Sequence, residues 1–89
     1  MSRRVEWSKN AAKVFSRLDQ PTQRRILAAV ERLAESNEGD VRRLRGTTEE
    51  VFRLRVGDWR VIFIYLEDAT DLTILFIVRI SSRGDAYKR

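Results

Sequence analysis

Apolar and polar residues alternate with a period of two through Val51–Phe63, V-F-R-L-R-V-G-D-W-R-V-I-F. Two such runs separated by Gly57-Asp58 predict a β-hairpin, and a two-residue loop led by glycine fits a type II′ turn. With Val56 facing Trp59 across that turn, Arg55 faces Arg60, Leu54 faces Val61 and Arg53 faces Ile62. The alternation then puts Phe52, Leu54, Val56, Trp59, Val61 and Phe63 on one face. Arg53, Arg55 and Arg60 share the other. Like charges directly opposite one another weaken a sheet. This face therefore reads either as a surface that meets something anionic, or as a solvated strand face screened by Asp58 or a more distant carboxylate.

Upstream the period changes. Val5 and Trp7 alternate with Arg4 and Glu6, which predicts a short strand over Arg3–Trp7. Ser8 is a good N-cap, and Ala11, Ala12, Phe15 and Leu18 recur at helical spacing, so a helix is expected over Lys9–Leu18. Asp19-Gln20-Pro21 breaks it, and Pro21 suits the first position of a second helix. There Ile26, Leu27, Val30, Leu33 and Ala34 form one apolar stripe, with Arg24, Arg25, Glu31, Arg32 and Glu35 outside. Ser36–Asp40 is a loop by its turn chemistry. Val41–Gly46 adds three arginines, Arg42, Arg43 and Arg45. After the hairpin, Glu67–Asp71 is a second turn. Leu72–Ile80 is an apolar, β-branched run that suits a central strand covered on both faces.

The expected fold is α+β: an N-terminal strand, a helical hairpin, then a three-stranded antiparallel meander, with the helices on one sheet face. The 89 residues make a single domain, 1–89, with a modest core. Trp7 and Trp59 read as core aromatics, although an exposed Trp59 would stack a base.

Composition narrows the chemistry. Without cysteine there is neither a disulfide nor a thiolate metal site, and a cytoplasmic location is expected. Nothing reads as a signal peptide or a membrane span. There is no histidine, which removes the commonest general base, the Ser-His-Asp triad and any His-ligated metal. The net charge is +5, and 15 of the 18 basic residues are arginine. Arginine suits bidentate phosphate contacts and stacking on bases, so the charge favours nucleic acid or an acidic protein partner.

The segments R-L-R-G, with its L-R-G turn at Leu44–Gly46, V-F-R-L-R-V-G-D-W-R-V-I-F and I-S-S-R-G-D-A-Y-K-R resemble the RelE/ParE superfamily of bacterial toxins over nearly the whole chain. The resemblance implies the strand–helix–helix–strand–strand–strand order. It also implies a toxin of a type II toxin–antitoxin system: a ribosome-dependent mRNA endonuclease that cuts A-site codons and is held in check by a cognate antitoxin. Carried over by position, the catalytic set is Arg53 and Arg55 on the hairpin, Arg60 on the next strand, and Arg83 with Tyr87 near the C-terminus. Arg42, Arg43, Arg45, Lys88 and Arg89 are candidate RNA or ribosome contacts. Many relatives carry His or another basic residue just before the C-terminal arginine, where this chain has Ser81 and Ser82. No helix is expected after Tyr87, where some members have one. The ParE branch shares the hairpin and acts on DNA gyrase by protein contact, so gyrase inhibition stands as the alternative.

RNA cleavage of this kind uses the substrate's own 2′-OH and needs neither metal nor cofactor. A guanidinium cluster stabilises the pentavalent phosphate. Arginine cannot serve as base at neutral pH, whereas Tyr87 can if nearby cations lower its pKa. The expected partners are the antitoxin and the ribosome, with no membrane, and the free toxin is expected to be a monomer.

Overall fold

The computed structural model describes residues 3–44 and 50–82. In chain order these form β1 (Arg4–Trp7), α1 (Lys9–Ser16), α2 (Gln20–Ser36), β2 (Asp40–Arg43), β3 (Phe52–Val56), β4 (Trp59–Glu67) and β5 (Thr73–Ser82). One sheet has the order β1-β5-β4-β3-β2. β1 lies parallel to β5, and the other neighbours are antiparallel. The chain thus starts at one edge, crosses by two helices to the far edge, and returns by a meander to lie beside its own first strand.

Local chemistry sets the helix boundaries. The Ser8 hydroxyl accepts from the Ala11 N–H at 3.0 Å, the N-cap contact that opens α1. α1 ends at Ser16, two residues short of the expected Leu18. There the Arg17 and Leu18 N–H groups reach back three residues, to Val14 and Phe15 carbonyls, tightening the last turn. Pro21 falls in the first turn of α2, where its missing N–H costs nothing. Asn37 closes α2 in the left-handed conformation (φ 59°), its N–H bonded to the Leu33 carbonyl.

The core lies between the helices and one sheet face. Ala11, Ile26, Val30 and Leu33 meet Leu54, Val61, Phe63, Leu75, Ile77 and Ile80, all buried. Phe63 is fully buried, with Phe52 stacked at 5.5 Å and Tyr65 edge-on at 5.5 Å. Each such side chain contributes about 1.5–3 kcal/mol relative to exposure. Trp7 and Trp59 are half-buried against this core.

The hairpin has the predicted register: Val56 faces Trp59, Arg55 faces Arg60, Leu54 faces Val61 and Arg53 faces Ile62. Gly57 alone of the turn pair has positive φ (60°), as a type II′ turn requires.

Two features depart from expectation. Asp40–Arg43, read as the end of a loop and the start of an arginine-rich segment, is an edge strand on β3, so the antiparallel part has four strands. Its short length and charge hid it, and both are common in edge strands. Second, β5 runs to Ser82 and carries a bulge: Ile62 pairs with Arg79 but Phe63 pairs with Ile77, leaving Val78 unmatched. Its outer face is uncovered at Arg79, which is exposed.

Candidate nucleic-acid interface

The sheet face away from the helices is built by the pairing register. Across the strands, Arg42, Arg53, Ile62 and Arg79 form one row, and Asp40, Arg55, Arg60 and Ser81 form the next. Of these eight side chains five are arginines and one is a carboxylate. β2 contributes only part of its charge. Arg43 pairs with Phe52, whose side chain belongs to the helix side, so Arg42 joins the open face and Arg43 does not.

A pocket of about 460 Å³ sits in this face, within the size range of small-ligand sites. Leu44, Ile62 and Val78 give it apolar walls; Arg53, Arg60, Arg79 and Ser81 give it polar ones. The Arg53 side chain is only 16% exposed, and its Nη2 lies 3.7 Å from Asp40 Oδ1. The Arg53 Nε is buried without a hydrogen-bond partner, a state that costs about 1–3 kcal/mol or more for a charged group. Arg60 is half-buried at the pocket wall. Arg55 lies outside the pocket, exposed, with its Nε donating to the Gly57 carbonyl at 3.4 Å. Ser81 is 8% exposed and faces Arg60 across the strands.

The structure therefore brings Arg53, Arg55, Arg60 and Arg42 onto one face. Arg45, Arg83, Tyr87, Lys88 and Arg89 lie outside the described residues. Sequence reasoning missed Arg79, Asp40 and the apolar wall. Arg79 is the one charge within Thr73–Ser82, and a full charge in a fully covered strand would be costly. That conflict was a usable signal that one face of β5 opens. Arginines around an apolar hollow can hold phosphates at the rim while a planar ring lies against the wall. They supply no base. Among the described residues no group of three or more acidic side chains could hold a metal ion, and no helix is long and apolar enough to cross a membrane.

Residues 5–87 match the family described as the ParE toxin of type II toxin–antitoxin systems, parDE. Among solved structures, a chain of the archaeal RelE–RelB complex from Pyrococcus horikoshii OT3 is similar at 30% identity and a TM-score of 0.71. That match covers 94% of this chain and 98% of the other. A chain of the RelB–RelE antitoxin–toxin complex from Methanococcus jannaschii shares the fold at 20% identity and a TM-score of 0.65, covering 93% and 95%. A chain of the RelBE2 toxin–antitoxin complex from Mycobacterium tuberculosis does so at 24% identity and a TM-score of 0.59, covering 93% and 100%. No curated protein matches.

Proposed function

The chain belongs to the RelE/ParE superfamily of type II toxin–antitoxin toxins, and on that premise we propose that it is a ribosome-dependent mRNA endonuclease. The observation that carries this reading is the pocket that gathers Arg53 and Arg60 around an apolar wall. A protein that acts by surface contact alone has no need of a half-buried guanidinium held beside a hollow.

In the proposed reaction the 2′-oxygen attacks the adjacent phosphorus, and the bond from phosphorus to the 5′-oxygen breaks. Tyr87 takes the 2′-OH proton, and the departing 5′-oxygen takes one from water. The product is a 2′,3′-cyclic phosphate with a free 5′-hydroxyl. Arg60 and Arg83 stabilise the charge on the pentavalent phosphorus, and Arg53 and Arg55 hold phosphate or leaving group. Arg42, Arg43, Arg45, Lys88 and Arg89 contact ribosomal RNA or the message. No metal takes part. The cognate antitoxin blocks this face.

The second reading is gyrase inhibition, favoured by the ParE description of the matched family. Programmed ribosomes incubated with the protein, followed by primer extension, separate the two. Cleavage in the A-site codon with unaltered gyrase supercoiling is expected; inhibited supercoiling with intact message would reverse the assignment. In single-turnover cleavage on saturating ribosomes, Arg60→Ala should lose roughly 10²–10³ in rate with little loss of ribosome binding. Tyr87→Phe should bind and fold normally and cleave slowly. Wild-type rates in Tyr87→Phe would end its assignment as base.

A further inference from the structure

We propose that Arg79 is a phosphate-binding residue of the open-face pocket, presented there by the bulge in β5 that Ser8 clamps. This rests on the nucleic-acid reading of the pocket. Leu75, Ile77 and Ile80 are all buried in the core. The step from Leu75 to Ile77 is two residues, but the step from Ile77 to Ile80 is three. Unbroken alternation would turn Arg79 inward with Leu75 and Ile77, leaving an unpaired charge in the core.

The unmatched Val78 absorbs the extra residue. Arg79 then faces outward opposite Ile62, and Ile80 faces inward opposite Val61. Bulges next to functional sites commonly re-aim a side chain in this way. A bulge also disrupts the ladder to β4, and here Ser8 holds the bulged residues from the β1 edge. The Ser8 hydroxyl donates to the Val78 carbonyl at 2.6 Å, and the Ser8 N–H donates to the Ile77 carbonyl at 2.8 Å. The same Ser8 oxygen caps α1 through Ala11 N–H. One residue therefore ties the first helix to the bulge.

Arg79 stands in the cross-strand row of Arg53 and Arg42 and lines the same pocket as Arg53 and Arg60. No carboxylate among the described residues pairs with it. Arg79 lines one hollow with Arg53 and Arg60, and the Asp40 carboxylate lies beside Arg53. A phosphodiester bound across the hollow neutralises the Arg79 charge, and the half-exposed Ile62 and Val78 offer a surface for its nucleoside. Ser8 is a positioning residue: it lies outside the pocket lining and reaches Arg79 through Val78.

The test is binding of a short single-stranded RNA, 2′-O-methylated at each position to prevent cleavage, to the full chain over a range of salt concentrations. In Arg79→Ala the affinity should fall roughly tenfold, and the slope of log affinity against log salt should shrink by about 0.7, one phosphate contact. Arg79→Lys should restore the slope. Ser8→Ala should weaken binding in the wild-type background and change nothing when Arg79 is already alanine. An unchanged slope in a normally folded Arg79→Ala variant would overturn the assignment, as would a wild-type chain that fails to bind the oligonucleotide at low salt. A wild-type chain that binds with this Arg79 dependence but leaves ribosome-bound message intact would sink the nuclease reading and keep the site. Cleavage with an Arg79-independent slope would do the opposite.

Discussion

At Arg53 burial and charge are set against each other: the side chain is 16% exposed, its Nε is unpartnered among the described residues, and its Nη2 is 3.7 Å from the carboxylate of Asp40, which is itself exposed. A pair of that length with one partner in solvent adds little stability, so the site holds a charge that its own fold only partly satisfies. Asp68 is the contrasting case. Its Oδ1 accepts from the Thr70 hydroxyl at 2.7 Å, the Thr70 N–H at 2.8 Å and the Leu72 N–H at 3.0 Å. The Thr70 hydroxyl, with those backbone donors and more weakly Arg4, holds this carboxyl below the ordinary aspartate value. Asp19 is held low mainly by the Thr22 hydroxyl. A lowered folded-state pKa stabilises the fold above the unfolded value, and that stability is lost as pH falls through the folded one. Urea midpoints should therefore drop below about pH 4, and Asp68→Asn should flatten that part of the profile. Parallel profiles for the two proteins would remove Asp68 from the acid response.

Among the elements, the β3–β4 hairpin fixes the spacing of the pocket cations. Gly57 leads its turn at φ 60°, and Arg55 and Arg60 flank it as a cross-strand pair. A Cβ at position 57 would come within 2.5 Å of the Arg25 Nη2. That contact is with the end of a flexible side chain and is cheap to relieve. The backbone strain is not. Gly57→Ala should lower the unfolding free energy by roughly 1–3 kcal/mol, read from urea denaturation. An unchanged midpoint would mean the turn tolerates a side chain and does not set the register. The bulge in β5 acts at the same scale. It converts a strand that is apolar along most of its length into one that is apolar toward the helices and cationic toward the pocket at Arg79.

The whole molecule divides its work between two sheet faces. The helices consume one, and the other keeps its arginines in a chain whose net charge is +5. A cognate antitoxin that covers this face should be steered to it by charge, with an acidic or amphipathic segment encoded by an adjacent gene. Its association rate with the toxin should then fall as salt rises, while dissociation changes less. Stopped-flow mixing over a range of salt measures this directly. An association rate indifferent to salt would place the docking surface elsewhere.

The period-two run of Val51–Phe63 and the Gly57-Asp58 turn by themselves determined the hairpin, its register and the face that carries Arg53, Arg55 and Arg60. Side-chain alternation and turn geometry are local, so the chain carries them without reference to the rest of the fold. Ser8, Pro21 and the stripe from Ile26 to Ala34 likewise located both helices. Tertiary structure decided the rest. β1 found β5 as a parallel neighbour, and Asp40–Arg43 became a strand only because β3 offered an open edge. Strand phase in β5 could not be read from alternation, since the bulge depends on Phe63 meeting Ile77, Val61 meeting Ile80, and Ser8 reaching Val78 from seventy positions away. The lone charge of Arg79 signals that β5 has an open face, but its place in the pocket comes from those long-range contacts.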